Sequence, residues 1–121
     1  MNDRQNCGVN VVFGLIGSKW KPTILWRLGE GDRRFADLRR SIGPISEKVL
    51  AEQLRELVTD GLVVRTAGDG FPLRVDYGLS PDGAELNALL DPIAEWGERI
   101  EARTSAAQAT DTGQSVTRPS G

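Results

Sequence analysis

The stretch over residues 35–79 constrains this chain most: two short amphipathic patterns separated by Gly43-Pro44 lead directly into a β-prone hairpin. Phe35, Leu38 and Ile42 fall on one side of a helix that Gly43-Pro44 stops. Ser46 is then a good N-cap, Glu47 suits the positive start of a new helix, and Ile45 can pack on Leu50 as a hydrophobic staple. This helix is predicted over residues 46–60, with Gly61 as its end. Leu50, Leu54, Leu57 and Val58 keep an i, i+4, i+7, i+8 spacing, which anchors one face and turns Lys48, Ala51, Glu52, Arg55 and Thr59 away from it. Residues 62–66 and 73–79 are β-prone, with Val75, Tyr77 and Leu79 alternating, and Gly68-Asp69-Gly70 forms the turn between them.

The flanking segments are helical in pattern. Val11, Val12, Leu15 and Ile16 share a face of a first helix over residues 9–16, with Gly17 expected as its left-handed stop. A second helix begins at Ser18: Trp20, Ile24, Leu25 and Leu28 make its apolar side, Pro22 lies in its first turn, and Gly29 and Gly31 end it. Residues 32–35 read as a turn and a very short strand. Ser80-Pro81 opens the last helix, whose apolar side holds Leu86, Leu89, Leu90, Ile93 and Ile100 with Trp96 near the edge. Pro92 is expected to kink or divide this helix, because it removes a backbone hydrogen bond and crowds the preceding turn. Beyond Thr104 small polar residues dominate, so residues 1–103 read as one domain and 104–121 as a disordered tail.

The order helix, helix, short strand, helix, tight turn, helix, hairpin is that of a winged helix-turn-helix, an α+β fold that is mainly α. In such a fold the helix over 46–60 offers its outward, N-terminal face to the major groove of double-stranded DNA. Ser46, Lys48, Ala51, Glu52, Gln53 and Arg55 are the candidates on it. Glutamine can read adenine, alanine can touch a thymine methyl, and Lys48 or Ser46 can hold phosphate or guanine. Glu52 repels phosphate, so it either accepts from cytosine or pairs with Lys48 or Arg55 on its own helix. Arg33-Arg34 and Arg39-Arg40, before and inside the supporting helix, become phosphate contacts, and Arg65 and Arg74 flank the wing.

Composition removes most competing classes. The 121 residues contain no histidine and a single cysteine, Cys7, so no zinc site, internal disulfide or histidine-based catalysis can be built, and no cofactor is expected. No phosphate-binding glycine loop is present, and no apolar run approaches the ~20 residues of a membrane span, so a cytoplasmic protein is expected. The net charge of −2 hides a split. Residues 1–79 hold 12 Lys/Arg against 10 Asp/Glu, whereas residues 80–121 hold 3 against 7, so the basic residues concentrate where DNA would lie.

The chain resembles the HxlR family of bacterial winged-helix regulators, which share the MarR-like fold. The resemblance runs from Cys7 to about Arg99 through Leu15-Ile16-Gly17, Lys19-Trp20, Ile24-Leu25, Arg34-Phe35 and Leu38. It continues through Ile45-Ser46-x-Lys48-Val49-Leu50, Leu54-Arg55-Glu56-Leu57-x-x-Asp60-Gly61-Leu62-Val63, Pro72-x-Arg74-Val75-x-Tyr77-x-Leu79, Pro81-x-Gly83 and Trp96-Gly97. It implies a homodimer joined by the first and last helices, through Val11, Val12, Leu15, Leu89, Ile93, Trp96 and Ile100. It also implies control of a nearby promoter, and the chain is read as a repressor on an inverted repeat with half-sites about one turn (~10 bp) apart. In some members it implies a response to an oxidant, an electrophile or another small effector through the N-terminal cysteine, here Cys7. Three positions depart from the family pattern: Gly8 follows Cys7 in place of proline, Gln53 stands where arginine is frequent, and Asp76 replaces glutamate.

Two other readings fit the same residues. A winged helix can serve protein–protein association without binding DNA. A thiol enzyme on Cys7 is the third, though no resolving cysteine or histidine base accompanies it.

Overall fold

The structure is a computed structural model that describes residues 7–110. Seven elements follow in order: α1 (Gly8–Ile16), α2 (Lys21–Gly29), α3 (Phe35–Ile42), α4 (Glu47–Thr59), β1 (Val63–Ala67), β2 (Val75–Leu79) and α5 (Pro81–Thr110). The strands form an antiparallel hairpin in which Arg65 faces Tyr77 and Val63 faces Leu79. Arg33 adds an isolated bridge to Tyr77, its amide donating at 2.9 Å and its carbonyl accepting at 2.8 Å. The very short strand expected over residues 32–35 is this bridge. A mainly helical winged helix-turn-helix results.

Among the described residues, those up to Ala88 form one compact unit and those from Leu89 a second. The first unit's core is aliphatic: Ile24, Leu25, Leu38, Leu50, Leu54 and Leu57 are fully buried. Each stabilises the fold by about 1.5–3 kcal/mol relative to an exposed position. The i, i+4 stripes of α2 and α4 supply most of this set, so the spacing in the chain and the packing agree. Val58 is the exception on α4. It is more than a third exposed, at the edge of the stripe.

Local chemistry places the ends of α3 and α4. Gly43 closes α3 with φ +104°, a left-handed conformation that favours glycine. Ser46 then caps α4, its Oγ accepting from the Val49 amide at 3.1 Å. Ser46→Ala is expected to lower the unfolding free energy by about 1 kcal/mol, read as a reduced urea midpoint at unchanged slope.

Several expectations need correction. Gly17 has φ −76° and is not left-handed; a Cβ there would collide with the Phe13 carbonyl, so close approach selects the glycine. α2 starts at Lys21, with Ser18 capping from outside as its Oγ accepts from the Lys21 amide at 3.1 Å. Helix α5 is assigned without interruption through Pro92. Pro92 forfeits a bond to the Ala88 carbonyl, and the boundary between the two units falls directly after Ala88. The helix also continues to Thr110, past the boundary expected at 103, because residues such as Ala106 and Ala107 favour helix without apolar burial. The rest of the expected tail, residues 111–121, lies outside the described residues.

Candidate nucleic-acid interface

Helix α4 divides its side chains by direction. The Leu50-Leu54-Leu57 face is buried, Lys48 and Arg55 are exposed, and Ala51, Glu52 and Gln53 are half-buried at the margin. Ser46 lies exposed at the entry, occupied by its capping bond. Lys48 and Arg55 have no ion-pair or hydrogen-bond partner among the described residues.

Gln53 does not share that freedom. Its Oε1 accepts from Ser18 Oγ at 2.7 Å, joining the connection after α1 to the reading helix. Three residues further along α4, Glu56 pairs with Lys21 at 2.6 Å, and the lysine is almost wholly buried along its stem. These two links brace the start of α2 against α4. Glu52 forms no ion pair with Lys48 or Arg55, so the pairing expected from helical spacing is absent. Sequence distance hid the Ser18–Gln53 contact, which spans 35 positions.

The arginines separate into braces and open cations. Arg33 donates through Nε to the Arg27 carbonyl at 3.3 Å and through Nη2 to Glu30 at 2.7 Å, fixing the link between α2 and α3. Arg39 donates through Nε to the Ile45 carbonyl at 2.9 Å and reaches Glu47 at 3.5 Å, closing the turn into α4. Arg40 pairs with Asp37 on α3, and Arg74 with Asp76 at 3.3 Å beside the wing. Arg34, Arg55 and Arg65 are exposed and have no partner among the described residues.

Two concavities gather these groups. One, of about 300 Å³, lies between α4 and β1 and brings Arg55, Arg65, Ala51 and Tyr77 together. The other, of about 520 Å³, joins Arg34 at the entry to α3 and Arg40 on it to Arg74 beside the wing. The fold thus brings Arg34 and Arg74, 40 positions apart in the chain, to one groove, and Arg55 and Arg65 to the other. Such exposed guanidinium and ammonium groups can take phosphate oxygens, while the α4 face between them can reach base edges.

The expected seam residues are uncovered in the single chain. On α1, Val11 is exposed and Val12 and Leu15 are half-buried; Val9 and Phe13, which the periodicity reading passed over, are also exposed. On α5, Leu89, Ile93 and Trp96 are all more than half exposed, and Ile100 is half-buried. Cys7 is exposed at the N-cap position of α1, where its carbonyl accepts from the Asn10 amide at 2.9 Å. Arg4, the cation nearest to it in the chain, lies outside the described residues. Among the described residues no cluster of ligating side chains could hold a metal, and no helix is long and apolar enough to cross a membrane.

A capped helix presenting Lys48 and Arg55 beside a hairpin that carries Arg65 and Arg74 has the arrangement of a DNA-binding winged helix-turn-helix protein. Comparison with known proteins narrows the class. Residues 15–105 match the HxlR-like helix-turn-helix family, and the chain belongs to it. YdzF of Bacillus subtilis, an uncharacterized HTH-type transcriptional regulator, is 45% identical over 86 residues, covering 70% of this chain and 79% of that relative. Among solved structures, the redox regulator HypR in its reduced form superposes with a TM-score of 0.76 at 32% identity, covering 83% of this chain and 99% of HypR. The reduced transcriptional regulator YodB of B. subtilis gives 0.71 at 30% identity, covering 82% and 94%.

Proposed function

We propose that this HxlR-family regulator is a homodimeric repressor that acts in the cytoplasm and binds an inverted repeat near a promoter. One observation carries the reading: Lys48 and Arg55 on α4, Arg65 on β1 and Arg34 at the entry to α3 are exposed, with no side-chain partner among the described residues. Exposed cations without a protein partner are free to take phosphate oxygens, which a duplex presents in dense rows. The dimer would cover Val11, Phe13, Leu89, Ile93 and Trp96, apolar surface that a single chain leaves in water. Arg33 and Arg39 serve as braces rather than direct contacts, and Gln53 holds α4 in place.

A redox response through Cys7 is favoured by the exposure of its thiol and by the likeness to HypR. A two-electron oxidant such as diamide would join Cys7 to a second thiol as a disulfide, taking up both electrons and both protons.

Gel shifts with duplex from the region upstream of the reading frame test both parts. Binding that weakens steeply with salt is expected, together with loss of binding on diamide treatment that Cys7→Ser prevents. Salt-independent binding, or none, would favour a winged helix used for protein association. Binding that diamide leaves intact removes the Cys7 part alone.

A further inference from the structure

The 520 Å³ groove between the start of α3 and the wing is lined by four arginines and four carboxylates, so this face carries no net charge. Two of the carboxylates sit directly on expected phosphate contacts. Asp37 pairs with Arg40 one helical turn away, and Asp76 holds Arg74 at 3.3 Å. Both pairs are open to water: Arg40 and Arg74 keep 72% and 61% of their side-chain surface exposed. Arg34, in the same groove, has no such partner among the described residues.

We propose that Asp37 and Asp76 are specificity-determining residues, which hold Arg40 and Arg74 in competing ion pairs and thereby suppress binding to unrelated DNA. The proposal rests on the DNA-binding reading above. Sequence-independent binding comes almost wholly from phosphate neutralisation, and an arginine already neutralised by its own carboxylate adds nothing to it. To contribute, the pair must open, and the released carboxylate then stays close enough to repel the phosphate. Exposed pairs open at little cost, so a phosphate fixed in one place can draw the guanidinium across. On an operator, base contacts from α4 fix that place. On unrelated sequence the duplex occupies many registers, and the closed pair remains the better state in most of them. Neutralising the acids makes the face net positive, which benefits the many-register complex most.

Asp37→Asn, Asp76→Asn and the double variant keep side-chain shape and remove charge. Each is compared with the unaltered protein on the upstream duplex and on a shuffled duplex of equal length, over a range of salt. Each substitution is expected to tighten shuffled-duplex binding roughly three- to tenfold at ~0.1 M salt, with a log–log salt slope steeper by about one per phosphate newly neutralised. The gain on the upstream duplex is smaller, so discrimination falls. A double-mutant cycle guards against a folding artefact: Arg40→Gln should weaken shuffled-duplex binding more in the Asp37→Asn background than alone. Unchanged affinity and slope on the shuffled duplex, or equal gains on both duplexes, would overturn the proposal while leaving DNA binding intact. If neither the unaltered protein nor any variant binds either duplex, the DNA-binding reading itself is overturned.

Discussion

Gly83→Ala is expected to lower the unfolding free energy by about 2–4 kcal/mol, a combination of overpacking and lost hydrogen bonds. Gly83 lies buried in the first turn of α5, and a Cβ there would overlap the Leu62 carbonyl. Relief requires backbone movement, because the same turn is tied down by Ser80. Its amide donates to the Leu62 carbonyl at 3.0 Å, its Oγ donates to the Gly61 carbonyl at 2.6 Å, and Oγ also accepts from the Gly83 amide at 2.9 Å. The sign makes the test sharp. On an exposed helix the same change would stabilise by up to about 1 kcal/mol, since alanine is the better helix former. Urea denaturation reads the difference, and a variant as stable as the parent would show that α5 does not dock on the start of β1.

Arg34→Ala combined with Lys48→Ala is expected to weaken binding to the upstream duplex at least about a hundredfold at ~0.1 M salt. The proposed dimer would lose four cations, so the log–log salt slope should become shallower by about 3 to 4. Both side chains are exposed and unpartnered among the described residues, so stability should hardly change. Arg39→Ala supplies the contrast: its guanidinium closes the turn before α4, and its loss should lower thermal stability while altering the slope little. A slope unchanged in the double variant would place the phosphate surface elsewhere.

Those contrasts mark where reading the chain succeeds and where it stops. Helix α4, its Ser46 cap and the hairpin follow from spacing and capping within a dozen residues, interactions that are local and need no knowledge of neighbours. The partners of the charged residues are a different matter. Arg33 and Arg39 look identical in sequence to Arg34 and Arg40, yet the first two end on backbone carbonyls that the fold alone brings near. Glu52 had two suitable cations on its own helix and took neither, whereas Gln53 found Ser18 across the fold. The final helix was underestimated for a related reason. Its turns beyond Thr104 form with Ala106 and Ala107 exposed, so the loss of hydrophobic pattern there does not mark an end.

The brace between α2 and α4 limits how this scaffold could be re-engineered to a new operator. Leu50, Leu54 and Leu57 are committed to the core, Ser46 to the cap, and Gln53 and Glu56 to Ser18 and Lys21. A library aimed at altered base preference therefore has Lys48, Ala51, Glu52 and Arg55 to vary. Grafting a foreign reading helix would have to carry glutamine and glutamate at the two brace positions, or replace Ser18 and Lys21 with it.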